Sequence, residues 1–173
     1  MTPFGESLAY SHRATLEFFF LHLEDVATDT CLSIYERAYT ASVLAHYAQV
    51  SRVSAGDLPI SADLSDVFDQ FVMQVLLGDK DMNLVGRDPR VTEIAGSQTL
   101  LFAGFFRDQM RARHNVKAYD RYGQTFYHLS SQACTNLEQK YLLTNMAENF
   151  PVWARTCCKL HRTLRNRYYL INP

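Results

Sequence analysis

Apolar residues along this chain recur mostly three and four positions apart, the spacing that lines one face of an α-helix, while the two-residue alternation of a half-buried strand is hardly visible. Leu16, Phe19, Leu23 and Val26 form the first stripe. Phe18 and Phe20 widen it, which predicts a helix apolar around much of its circumference and placed centrally. Thr28-Asp29-Thr30 offers short side-chain oxygens able to cap the first turn of a following helix. That second helix presents Leu32, Tyr35, Tyr39, Val43, Tyr47 and Val50, with Ala38, Ala41, Ala45 and Ala48 letting a neighbour approach closely.

Ser54 to Pro59 reads as a linker, and Ser61 stands where it can cap a third helix whose stripe is Leu64, Val67, Phe68, Phe71, Val72, Val75 and Leu76. Asp63, Asp66 and Asp69 near its start suit the helix dipole. Exposed loops are expected near 54–61 and 78–90. From Val91 the helical pattern returns through Ile94, Leu101, Phe105 and Met110, although Gly96 and Gly104 each cost about 1 kcal/mol relative to alanine unless a close helix contact offsets it. Tyr119, Tyr122, Phe126 and Leu129 make the next stripe. The last runs through Leu142, Met146, Phe150, Trp153, Cys157, Leu160, Leu164 and Tyr168. Pro151 interrupts it, either kinking one helix or sitting in the first turn of a new helix capped by Asn149. The pattern predicts an all-α protein, a single-domain helical bundle of six or seven helices over residues 1–173, with no internal repeat.

Composition agrees with an ordinary globular chain: 47% hydrophobic and 20% charged, with few glycines and prolines. The longest apolar run, Leu100 to Phe106, is far too short to span a membrane, and no secretory signal is legible at the start. A cytoplasmic location without membrane attachment is expected. Charge changes the picture more than composition does. The net charge is only −1, but residues 1–100 carry 14 acids and 6 bases, whereas residues 101–173 carry 4 acids and 11 bases. The halves either complement each other electrostatically or expose a basic face to an anionic partner.

Candidate chemistry is sparse. Cys31, Cys134, Cys157 and Cys158 show no disulfide-framework spacing and read as reduced thiols. Cys157, Cys158 and His161 are the best metal-ligand candidates, because residues three and four apart on a helix converge on one side, and sulfur with imidazole suits zinc. Adjacent thiols diverge, however, a fourth ligand is not evident, and Cys157 lies on the apolar stripe, where a packing thiol is the plainer reading. No Glu is followed three positions on by His, as a ferritin-like di-iron site needs, and no nucleophile elbow, phosphate-cradling loop or dinucleotide fingerprint occurs. No cofactor is implied. Arg155, Lys159, Arg162, Arg165 and Arg167 form the candidate anion-binding set, against the plainer reading of a solvated helix face.

Residues 103–130 carry Gly104-Phe105-Phe106, Arg111, Arg113, Val116, Tyr119, Gly123, Tyr127 and Leu129. This stretch resembles a segment of a family of uncharacterised bacterial helical proteins. The resemblance implies a bacterial origin and brings no activity with it; where that family commonly has a second aromatic after the first Tyr, this chain has Asp120. Taken together, these readings lead to the expectation of a non-enzymatic interaction or regulatory module that self-associates or binds another protein. The alternatives are nucleic-acid binding through the basic C-terminal half and a metal-dependent or small-molecule-binding bundle enzyme.

Overall fold

In the computed structural model the described residues are 12–27, 32–54, 88–111 and 115–166; their regular elements are all helical, and no strand occurs among them. The all-α expectation is therefore met, with seven α-helices and one π-helical turn among the described residues. No helix among them is long and apolar enough to cross a membrane. The chain divides into two units, residues 1–58 and 59–173. The third predicted helix, the caps proposed at 28–30 and Ser61, and most of both predicted loops fall outside the described residues.

The first unit contains α1 (His12–Val26) and α2 (Ile34–Ser54), packed on each other. Phe19, Leu23 and Val26 are buried as the stripe predicts, but Phe18 and Leu21 are exposed, so within this unit α1 buries one side of its apolar surface only. The start of α2 is a capping box. Ser33 N–H donates to Glu36 Oε2 at 3.0 Å while Glu36 N–H donates to Ser33 Oγ at 3.1 Å, which satisfies two free donors at once. Val43, Ala41 and Ala45 of α2 are buried as the pattern predicts, and the face departs from the prediction at Leu44, which is inside, and at Tyr35, which is exposed. Arg37 joins the helices through Glu24 at 3.1 Å and lies 4.6 Å above the Phe20 ring.

In the second unit, α3 (Pro89–Leu100) runs without a break into the π-helical turn (Leu101–Phe105), followed by the short α4 (Arg107–Met110). Asp88 caps α3 by accepting from Arg90 N–H, and Pro89 occupies the first helical position, where no N–H is needed. Next come α5 (Val116–Ala133), α6 (Leu137–Glu148), capped by Asn136 accepting from Gln139 N–H, and α7 (Phe150–Asn166). Pro151 sits in the first turn of α7, and the Asn149 carbonyl accepts from the N–H groups of Val152 and Trp153. Of the two readings of that proline, a new helix is the one observed.

α3 packs along α5, α5 against α6, and α7 against the π-helical turn. Trp153, Tyr127, Phe126, Phe150, Leu100, Leu143, Met146 and Leu160 are fully buried and form the core of this unit. The predicted stripe of α3 needs correction: Ile94 is exposed, and the buried residues are Thr92, Ala95, Gly96, Ser97, Thr99 and Leu100. α3 and α5 meet through small groups, with the Tyr127 ring against Gly96 and Ser130 Oγ donating to the Pro89 carbonyl at 2.7 Å. An isoleucine cannot enter so close a seam.

Two other glycines mark where helices meet most closely. At Gly104 an added methyl would lie 2.8 Å from Cys157 Cβ and 3.2 Å from the Ala154 carbonyl oxygen, so the backbone of the turn rests directly on α7. At Gly123 an added methyl would overlap the ring of Phe150, itself fully buried and unable to swing into solvent. Gly123→Ala gains about 1 kcal/mol of helix propensity but meets overpacking of typically 1–3 kcal/mol or more. Chemical denaturation is expected to show net destabilisation for this variant. Unchanged or raised stability would mean that α5 and α7 are not held together by this ring.

Candidate functional site

The chemically varied part of the described structure is the turn between α3 and α5 and the stretch of α7 that faces it. Phe106 N–H donates to the Leu101 carbonyl at 2.9 Å, a five-residue step that widens the helix by one residue there. Such single-turn widenings re-aim the side chains that follow them. The two residues after this one are of opposite charge and take separate partners.

Arg107 forks onto Asp120 of α5, with Nη1 to Oδ1 at 3.0 Å and Nη2 to Oδ2 at 3.1 Å, and Nη1 also donates to the Ala103 carbonyl at 2.8 Å. Its side chain is 12% exposed and that of Asp120 is 19% exposed. This is the planar bidentate geometry that guanidinium and carboxylate favour, largely shielded from water. Asp120 is the acceptor of both arms of that fork.

Asp108 reaches α7. Arg162 Nε donates to Oδ2 at 2.7 Å and Nη2 to Oδ1 at 2.6 Å, while Cys158 Sγ lies 3.9 Å from Oδ1. The hydrogen bond from Arg162 holds the Asp108 carboxyl below the usual carboxylate range against the opposing effect of partial burial; Arg111 and His161 add to the lowering. Burial, and then the nearby Asp108 charge, push the Cys158 thiol up. Cys157 is pushed up to about 12 by complete burial, with Cys158 adding to the shift. His161 is lowered by burial and then by the Arg165 charge, and its ring lies 4.8 Å from that of Phe105 and 6.1 Å from that of Phe106.

The three metal-ligand candidates are thus directed to different places: Cys157 into the seam with Gly104, Cys158 toward Asp108, and His161 onto the phenylalanines. Among the described residues, no three His, Cys, Asp or Glu side chains come together as a metal-binding group. Both buried thiols are held neutral, the form that is a poor nucleophile and a poor ligand. Of the anion-binding candidates, Arg155, Lys159, Arg162 and Arg165 are exposed along α7, Arg162 is engaged by Asp108, and Arg167 lies outside the described residues. Sequence reasoning missed the two carboxylate partners. Asp108 and Asp120 are two of only four acids in residues 101–173, and that scarcity beside eleven bases was the available signal.

Two measurements check this geometry. Because the folded Cys157 thiol titrates near 12 rather than at its ordinary 9.0, its contribution to stability is fully present below pH 9 and is lost as pH rises through the folded value. The slope is about 1.4 kcal/mol per pH unit for the one proton involved, and Cys157→Ala is expected to lack this component in denaturation curves between these pH values. Arg107→Ala leaves the shielded Asp120 carboxylate without its partner and is expected to cost about 2–4 kcal/mol. Arg107→Lys recovers only part of that loss, since an ammonium cannot span both carboxylate oxygens while also holding the Ala103 carbonyl; full recovery in thermal denaturation would refute the fork as the stabilising feature.

No known protein family, no curated protein and no solved structure matches this chain.

Proposed function

We propose that this chain is a non-enzymatic helical interaction module that self-associates, using a face of the second unit centred on α6. The observation that carries the reading is the exposure of large apolar side chains on regular helix surface. Leu137 is 79% exposed and Tyr141 70%, one helical turn apart on α6, and Ile94 of α3 is 54% exposed. Gln139 Nε2 donates to Glu93 Oε2 at 3.1 Å, tying the start of α6 to the part of α3 that carries Ile94. Single exposed apolar residues are ordinary, but several at one end of a unit mark interaction surfaces.

Self-association rather than a dissimilar partner is favoured by what flanks the apolar pair. Glu138 and Lys140, both exposed, put an acid and a base on α6 beside Leu137 and Tyr141. A two-fold arrangement sets the acid of one copy near the base of the other, so the same surface is complementary to itself. The neutral thiols on α7 and the separation of the metal-ligand candidates lend support to a binding rather than a catalytic role. The reading fits a module working in the cytoplasm.

Size-exclusion chromatography with light scattering is expected to give a dimer or higher species at micromolar concentration. Leu137→Glu combined with Tyr141→Ser should shift it to monomer with unchanged far-ultraviolet circular dichroism. A parent chain that stays monomeric at high micromolar concentration, or a double variant that associates as before, would remove the proposal.

A further inference from the structure

We propose that the solvent face of α7, carried by Arg155, Lys159, Arg162 and Arg165, binds the phosphodiester backbone of a nucleic acid, and that Asp108 competes with that backbone for Arg162. The surface lies on a different helix from the self-association face, and neither proposal depends on the other.

The helix itself supplies the first argument. α7 contains no acidic residue, and beyond Val152 its exposed positions are 155, 159, 162, 165 and 166, of which all but Asn166 are cationic. At 3.6 residues per turn the four cations fall within a sector of roughly 120°, and at 1.5 Å per residue they extend over about 15 Å. One strand of a duplex carries a phosphate about every 3.4 Å along the axis, so this length corresponds to about four phosphates. Three of the four cations are arginines, whose planar forks match phosphate oxygens in pairs. The charge is also local to this part of the chain, since the eleven bases of residues 101–173 face only four acids.

The second argument separates phosphodiester from a lipid surface. A helix that enters a membrane interface places large apolar side chains beside its cations. The exposed large apolar residues described in this unit are Ile94, Leu137 and Tyr141, and none of them lies on α7.

Asp108 gives the proposal a feature that an ordinary solvated basic face lacks. It is contributed by α4, reaches Arg162 with both carboxylate oxygens, and leaves the arginine side chain 55% exposed. An incoming phosphate therefore finds Arg162 accessible but already neutralised. Removing the Asp108 charge should strengthen nucleic-acid binding, although no residue is added.

Fluorescence anisotropy of the full chain with labelled duplex DNA and RNA of about 20 base pairs, between about 50 and about 200 mM salt, tests this. The parent is expected to bind both in a sequence-independent way and to lose about 40-fold in affinity across that range, for three phosphate contacts. Asp108→Asn should bind more tightly at each salt concentration, with a log–log slope steeper by about 0.9, the value of one added contact. Arg155→Ala with Arg165→Ala, both at exposed positions, should flatten the slope by about 2 while circular dichroism stays unchanged. Absence of binding by both the parent and Asp108→Asn, or a slope indifferent to the arginine substitutions, would overturn the assignment. An Asp108→Asn slope equal to that of the parent would overturn the competition. Binding to vesicles containing phosphatidylserine, with none to either duplex, would also overturn it in favour of a membrane surface.

Discussion

The ring of Phe150 rests on Gly123, and much of the second unit follows from that contact. Because no side chain stands between ring and backbone, the start of α7 is held close against α5, and the fully buried Trp153 and Leu160 are carried into the core behind it. Further along, α7 meets the backbone of the π-helical turn at Gly104. A helix held at two such points has little freedom to rotate. Its apolar face is committed inward, and Arg155, Lys159, Arg162 and Arg165 are left at exposed positions on the opposite side.

That constraint also explains how Arg107 and Asp108, neighbours of opposite charge, come to serve different ends. Successive residues on a helix point about 100° apart, and the one-residue widening before them sets where those directions fall. Arg107 turns toward α5 and is largely shielded, so its fork onto Asp120 acts in a medium where an unpaired partner would be costly. Asp108 turns toward the outer side of α7, where its pairing with Arg162 is open to water and to competing ions. The shielded pair suits holding α4 in place, and the open one suits exchange.

The helical periodicity was legible wherever the interior is filled by large side chains. The last stripe shows this best: Met146, Phe150, Trp153, Cys157, Leu160 and Leu164 are buried as spaced, Leu142 is half-buried, and Tyr168 lies outside the described residues. The reading failed where helices meet through small groups. Size and hydrophobicity put Tyr35 and Ile94 on inner faces, yet the structure exposes both: α2 buries Ala41 and Ala45 instead, and α3 sets Gly96 against the Tyr127 ring. Hydrophobicity alone cannot tell a face that is filled from one that is pressed flat.

The candidate site shows the same division. From sequence alone came the helical class, the basic run on one side of the last helix, the packing role of Cys157 and the close helix contact at Gly96 and Gly104, all consequences of residue type and spacing within one helix. Only the tertiary structure decided which carboxylate meets which guanidinium. Asp120 lies thirteen residues from Arg107, and Asp108 lies fifty-four from Arg162. Such pairings depend on how separate helices are rotated and set against each other. Local periodicity holds no information about that rotation, which is imposed by the shapes that fit between the helices.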